Sequence, residues 1–258
     1  LTPNLQHITL SENALKMIPH GEFQGNHLNK LKVLTLFFHI ESNVFLQRVP
    51  NLEKLVILRG SFKETFHLPE LKVLPLESLG ELVSNGSENS WIVPFLKNLE
   101  TLEVVICFSS INLVPCSVSF TNLAYFEVDS RNNMLYLFTS SAAISLAQFK
   151  TMKVKCRNSI KEIASKEGDE SNGDEIIFQQ LNCLKLLKDY QISEASTKGI
   201  CFPSLEELSL IHCNRMETFC PGNVKTDKFL YVKFQRFSDA IPLENDLNST
   251  MRKAFHLT

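Results

Sequence analysis

The chain has little of what catalysis and cofactor binding commonly require. Its 258 residues contain no G-x-x-x-x-G-K-[ST] loop, no G-x-G-x-x-G turn and no G-x-S-x-G elbow. The familiar phosphate-cradling loops and the strained nucleophile are therefore not written in it. There is no H-E-x-x-H. None of the seven histidines (His7, His20, His27, His39, His67, His212 and His256) stands at ligand spacing from a cysteine or carboxylate. The seven cysteines, Cys107, Cys116, Cys156, Cys183, Cys201, Cys213 and Cys220, are odd in number and contain no C-x-x-C pair. That argues against a zinc site and for reduced, mostly buried thiols.

Basic charge is also scarce. Lys and Arg total 26 against 28 Asp and Glu, for a net charge of −2. A nucleic-acid footprint needs clustered basic charge, so nucleic acid is not an expected partner. Apolar runs such as Leu34 to His39 fall far short of the roughly 18 residues of a membrane span. The N-terminus shows no basic, apolar and small-residue leader pattern. Little in the stretches between the strands has helical periodicity over more than one turn. No carboxylate pair stands out for acid–base work, so the chain reads as a binding protein and not an enzyme.

What the sequence does have is a repeat. Hydrophobic residues make up 44% of it, with 19 Phe, against 21% charged, the balance of a folded chain. The phrase L-x-x-L-x-L occurs as Leu5, Ile8, Leu10; Leu31, Leu34, Leu36; Leu52, Leu55, Ile57; and Leu71, Leu74, Leu76. It continues as Leu99, Leu102, Val104; Leu123, Phe126, Val128; Phe149, Met152, Val154; Leu181, Leu184, Leu186; Leu205, Leu208, Leu210; and Phe229, Val232, Phe234. The intervals are 26, 21, 19, 28, 24, 26, 32, 24 and 24 residues, within the 20–29 range of leucine-rich repeats on average. In L-x-L the two apolar residues share one face of a short strand. Stacked copies then bury one another's cores, which frees the chain from the size limit of a single globular core.

These spacings predict an α/β repeat solenoid, a leucine-rich repeat horseshoe. Its concave parallel sheet has about ten short strands, and its convex side carries irregular loops and short helices, with Ser141 to Leu146 as one short helix. Residues 1–239 form the solenoid, truncated at its N-terminus because the chain opens inside a repeat without an initiating Met. Residues 240–258 leave the template and form a C-terminal cap. There Leu247, Met251 and Phe255 share one helical face. The acidic stretch from Ser165 to Glu175 and the segment Leu79 to Trp91 read as insertions on one rim. The turn position after each strand is good in only three copies, Asn13, Cys107 and Cys213. Pro75 stands mid-strand, so a ladder bond is lost there unless it falls outside the pairing.

The residue between the two Leu of each L-x-L points away from the core. Down the array these are Thr9, Thr35, Val56, Pro75, Glu103, Glu127, Lys153, Lys185, Ser209 and Lys233. Strands about 4.8 Å apart would let Glu127 and Lys153 pair and make Glu103 and Glu127 repel. Glu103, Glu127, Lys153, Lys185 and Lys233, with the flanking Tyr125, His212 and Tyr231, are the candidate contacts for a protein partner. The alternative is a solvated face of mixed charge.

Longer phrases add a resemblance. Phe202-Pro-Ser-Leu-Glu-Glu-Leu-Ser-Leu-Ile-His-Cys-Asn-Arg-Met-Glu-Thr-Phe-Cys-Pro-Gly222 resembles a recurring phrase of the C-terminal leucine-rich repeat region of plant intracellular immune receptors, of the coiled-coil nucleotide-binding type. So do Phe120-Thr-Asn-Leu-Ala-Tyr-Phe-Glu-Val128 with Leu135-Tyr-Leu-Phe138, Phe149-Lys-Thr-Met-Lys-Val154 with Ile160-Lys-Glu-Ile163, and Asp246-Leu-Asn-Ser-Thr250. The likeness covers nearly the whole chain and is strongest from residue 95 onward. It implies cytoplasmic recognition of a pathogen effector or a guarded host protein, and restraint of the receptor's own nucleotide-binding domain. It also implies that ATP or ADP belongs to a domain upstream, so no cofactor is expected in this chain. Pro75 and the irregular turn positions depart from the family pattern. The competing expectation is the substrate-recognition repeat domain of an F-box ubiquitin-ligase adaptor. An extracellular receptor-kinase array is disfavoured by the missing L-x-G-x-I-P phrase.

Overall fold

The computed structural model describes residues 4–11, 13–14, 28–37, 45–59, 67–78, 93–107, 119–130, 134–156, 160–165, 176–187, 200–211, 231–234 and 241–242. In chain order the strands are β1 (His7–Leu10), β2 (Val33–Leu36), β3 (Lys54–Leu58), β4 (Val73–Glu77), β5 (Thr101–Cys107), β6 (Tyr125–Ser130), β7 (Met134–Thr139) and β8 (Thr151–Cys156). They continue as β9 (Ile160–Ser165), β10 (Ile176–Ile177), β11 (Cys183–Leu187), β12 (Ile200–Cys201), β13 (Glu207–Ile211), β14 (Tyr231–Phe234) and β15 (Ile241–Pro242). Two short helices, α1 (Val93–Leu96) and α2 (Ser140–Ile144), and a 3-10 turn at Leu46–Arg48 complete the described elements.

One sheet runs β1-β2-β3-β4-β5-β6-β8-β11-β13-β14-β15. Its first ten strands pair in parallel, and β15 pairs antiparallel with β14. The chain is a repeat solenoid with little helix. Its phase is the one the L-x-L spacing predicts. Ile8 faces Leu34, Leu34 faces Leu55, and Leu74, Leu102, Phe126, Met152, Leu184, Leu208 and Val232 follow in one register row. Those from Leu34 onward are nearly or fully buried.

A single backbone contact recurs at every described step from β1 to β13. The carbonyl of the residue after the first apolar position accepts two consecutive N–H groups from the next coil. Gln6 takes Lys32 and Val33, Lys32 takes Glu53 and Lys54, Glu53 takes Lys72 and Val73, and Lys72 takes Glu100 and Thr101. Glu100, Ala124, Lys150 and Asn182 repeat the pattern with Ala124/Tyr125, Lys150/Thr151, Asn182/Cys183 and Glu206/Glu207. Shared acceptors of this kind satisfy both the last donor of the bend and the first donor of the strand.

The core has one more layer than the six-residue phrase shows. Three residues before each first Leu stand Leu28, Val49, Leu68, Leu96, Phe120, Leu146, Phe178 and Phe202, all at most 3% exposed. Most of these residues close a tight turn onto that Leu, as in Leu31 N–H to Leu28 O at 3.0 Å and Leu205 N–H to Phe202 O at 3.2 Å. In the second half of the chain this layer turns aromatic. Phe138 packs edge-on against Phe120 and Phe149, with centroids 6.0 Å apart in each case, and tilted against Phe126 at 5.1 Å. Phe149 continues to Phe178, which stacks on Phe202 at 5.5 Å and 7°. Such pairs add roughly 0.5–1.5 kcal/mol each beyond area burial.

The far side of the coils departs from expectation. The short helix foreseen near Ser141 is α2, capped by the Thr139 hydroxyl accepting from Ala142 N–H at 3.2 Å. The rest was expected to be loops and helical turns, yet two further parallel pairs form there, β7 with β9 and β10 with β12. Coil length explains where they form. Met134 pairs with Ile160, the same 26-residue offset as Tyr125 with Thr151 on the main sheet. Ile176 pairs with Ile200, matching the 24-residue offset of Cys183 with Glu207. Pairing on both sides of a coil needs one common offset. Ser145 then ties two coils together, its hydroxyl accepting Phe120 N–H at 2.7 Å while donating to Ala142 O at 2.6 Å.

The Pro75 question resolves locally. β4 pairs with β5 without a break through Pro75 and Glu103, but its pairing with β3 skips from Lys54–Val73 to Ile57–Leu76. Val73 N–H bonds to Glu53 O and Glu77 O accepts from Arg59 N–H, the residues that flank β3, so by strand alternation the missing proline donor also faces β3. Arg59 and Ser78 hold positive φ, 57° and 56°, at equivalent points just past β3 and β4. There each sends its N–H to the next strand, to Glu77 O and Val105 O. In the segment assigned to a C-terminal cap, residues 241–242 form the antiparallel β15; the helix expected beyond, like the insertions 165–175 and 79–91, lies almost wholly outside the described residues.

Phe138→Ala should cost roughly 3–5 kcal/mol in urea unfolding, because it empties the centre of the ring cluster. Truncating the half-exposed Phe37 in β2's continuation should cost under about 1 kcal/mol in the same assay. Pro75→Val should change overall stability by no more than about 1 kcal/mol, since the regained hydrogen bond is offset by lost rigidity of the unfolded chain. It should add one slowly exchanging amide at position 75 in hydrogen exchange; a fast amide there would place the gap elsewhere.

Candidate functional site on the open face of the sheet

Residues that alternate with the core positions place their side chains on the open face of the main sheet. Three register rows result. The central row carries Glu103, Glu127, Lys153, Lys185, Ser209 and Lys233 side by side across β5, β6, β8, β11, β13 and β14. Two residues earlier on the strands, Tyr125, Thr151, Cys183, Glu207 and Tyr231 form the second row. Two residues later, Glu77, Val105, Asp129, Lys155, Leu187 and Ile211 form the third. Seven of the eight residues singled out from sequence therefore share this face. The eighth, His212, lies outside the described residues.

The expected pair forms, with Lys153 Nζ 3.4 Å from Glu127 Oε2. Tyr125 joins it: its hydroxyl donates to Glu127 and its ring lies 5.0 Å beneath the Lys153 ammonium. Burial, the largest influence, and the bond to Glu127 together push the Tyr125 phenol above its ordinary 10.0. The hydrogen bond with Tyr125 is the main reason the Lys153 ammonium holds its proton above its ordinary 10.5. Glu103 stands directly beside Glu127 in register and makes no ion pair among the described residues.

Sequence reasoning reached Tyr125 and Tyr231 of the second row but missed Glu207 there and the whole of the third row. Asp129 pairs with Lys155, and Glu207 is the most heavily engaged carboxylate of the face. Its Oε1 lies 3.3 Å from Lys185 Nζ, 3.2 Å from Lys233 Nζ and 3.2 Å from Ser209 Oγ. Its Oε2 lies 3.5 Å from the Cys183 thiol. Burial raises the Glu207 pKa, but the combined bonds and charges of Lys233 and Lys185 win and hold it below the ordinary 4.5. Burial, reinforced by Glu207, pushes the Cys183 thiol up from 9.0, so it is not an activated nucleophile. Glu207 was legible in principle, because it holds the same strand position as Tyr125.

A separate charge row lies at the bend before each strand. Lys32 pairs with Glu53 at 2.6 Å and Lys72 with Glu100 at 3.1 Å. The hydrogen bond from Lys32 is the chief reason Glu53 stays below 4.5. These are the same residues whose carbonyls bridge the coils. Among the described residues no cluster of three His, Cys, Asp or Glu could hold a metal ion, and no helix is long and apolar enough to cross a membrane.

A comparison with protein-family models, with curated proteins and with solved structures returned no match. The face is characterised by its own chemistry: acidic and basic side chains, most of them paired, in straight rows on a parallel sheet.

Glu207→Gln should destabilise the fold by roughly 1 kcal/mol near neutral pH, a value set by the partial exposure of both lysines. A depressed carboxylate pKa contributes fully above the unfolded value and loses its contribution as pH falls through the folded one. The difference between wild type and Glu207→Gln in denaturant unfolding should therefore be constant above about pH 4.5 and shrink below it. A difference that grows on acidification would contradict the ion-pair geometry.

Proposed function

We propose that the chain is a leucine-rich repeat domain that recognises ligands, and restrains signalling, in a plant intracellular immune receptor acting in defence against pathogens. The observation that carries the reading is the open face. Ten parallel strands stack with the L-x-x-L-x-L phrase in register, and their alternate residues make a wide, graded surface. Neutral Thr9, Thr35, Val56 and Pro75 give way to Glu103 and Glu127, and then to Lys153, Lys185 and Lys233. Such a pattern suits a folded protein partner, since charges on a surface set association rate and specificity more than raw affinity. The resemblance of the Phe202 to Gly222 phrase to the immune-receptor family supports the choice of class.

In this reading the chain is a cytoplasmic binding module and carries no reaction of its own. Its partners are a pathogen effector or a guarded host protein, and the nucleotide-binding domain of its own receptor, where ATP or ADP would sit. The substrate-recognition domain of an F-box adaptor is the second reading, since it would use the same open face on another protein.

Reading the transcript upstream of the Leu1 codon separates the two. A P-loop module there supports the receptor, whereas an F-box supports the adaptor and sinks the immune assignment. With a partner in hand, Lys153→Glu should weaken binding roughly threefold to tenfold by titration calorimetry. Hydrogen-exchange protection should fall on β5, β6, β8, β11, β13 and β14; protection confined to β7 and β9 would rule out the open face as the recognition surface.

A further inference from the structure

Charge is not evenly balanced along the open face. On β6 and β8 each cation has its own carboxylate, Glu127 for Lys153 and Asp129 for Lys155. On β11, β13 and β14 two cations share one. The Lys185 and Lys233 ammonium groups both converge on Glu207 Oε1, at 3.3 and 3.2 Å, and the Ser209 hydroxyl donates to the same oxygen at 3.2 Å. Glu207 Oε2 already faces the Cys183 thiol. The carboxylate is thus saturated with donors, and its one negative charge offsets only one of the two lysines. Among the described residues neither lysine has another ion-pair partner. An ammonium carries three N–H donors, so each keeps donors in hand, and the group as a whole has one positive charge in excess.

Geometry gives this excess a shape. Lys185, Ser209 and Lys233 are consecutive in the central row, spaced about 4.8 Å per strand. Ser209 is short and only 3% exposed, so the two long side chains flank a low point one strand wide. A carboxylate has two oxygens and one negative charge, which matches two ammonium groups carrying one surplus charge between them. Beside the low point, Tyr231 is 47% exposed and offers a ring for the apolar neighbour of an acidic residue.

We propose that Lys185 and Lys233, standing on either side of Ser209, form a receptor for a carboxylate side chain, at which an acidic segment of a protein partner docks on the open face. The proposal rests on the reading of that face as a recognition surface, and it names the chemistry of the partner.

The test uses the whole chain and a dye-labelled penta-glutamate peptide, titrated by fluorescence anisotropy at low ionic strength, where exposed charges are least screened. Lys185→Gln with Lys233→Gln should weaken binding roughly tenfold. Lys32→Gln with Lys72→Gln, at the bend row, should change it less than about twofold. Glu207→Gln should tighten it roughly threefold, because it removes the competing carboxylate and leaves both ammonium groups. Circular dichroism on each variant checks that the fold persists. Equal losses from the two lysine pairs, no binding by the wild type, or a Glu207→Gln variant that binds more weakly while folded would each overturn the proposal. If the peptide result fails while a natural partner still protects β5, β6, β8, β11, β13 and β14 from hydrogen exchange, the carboxylate receptor alone is wrong. If the partner protects another surface, the recognition reading itself is wrong.

Discussion

Everything in this fold depends on a carbonyl that serves two donors. At each step the residue after the first apolar position offers one oxygen to two consecutive N–H groups of the next coil, from Gln6 through Asn182. The contact sits where the chain bends into a strand, and it sets the phase of that strand against its neighbour. A slip of one residue would turn every core side chain outward. Because the oxygen belongs to the backbone, side chains at these positions are free to vary, and Gln, Lys, Glu, Ala and Asn all occur there. The array tolerates coils as short as the one from Lys54 to Val73 and as long as the one from Thr151 to Cys183, since only the bend must repeat.

Phase, once set, builds both faces together. Inward residues form a single buried core from Leu10 to Val232, and outward residues fall into straight rows that bring distant parts of the chain side by side. Lys185 and Lys233 are 48 residues apart in sequence and meet on one oxygen of Glu207. The sheet, held by the core, does the positioning, so the ion pairs need contribute little stability to be well placed. Surface pairs of this kind are worth about 0–1 kcal/mol each, and their use lies in what they present to a partner.

The main sheet was legible because its signal is short-range and repeated. Three apolar residues at fixed spacing gave the strand positions, the phase and the Glu127–Lys153 pair. The layer at Leu28, Phe120, Phe178 and Phe202 went unread because the template began one position too late, although the same spacing of three residues continues backward to it. Of the rows flanking the central one, the sequence reading reached Tyr125 and Tyr231 but not Glu207 or Asp129, although strand alternation alone puts both on the same face. The far-side strands could not be read from any local window. β7 and β9 pair because two coil offsets agree, and that is a relation between coils. Pro75 left two outcomes open, and only the direction of its missing donor, toward β3, decides between them.

The matching of offsets also governs how this sequence can change over generations. Where β7 pairs with β9, a one-residue insertion between β6 and β7 would shift the far strand against its partner while the main sheet kept its register. Such coils tolerate substitutions but resist changes of length. The coil between β8 and β11 has an offset of 32 residues, unlike the 26 and 24 on either side, and no far-side strand pair among the described residues bridges it. Length can drift between β9 and β10 without breaking any such pairing. Among the described residues the later coils thus contain stretches where length is locked and, between β9 and β10, a stretch where new loops have an obvious place to arise.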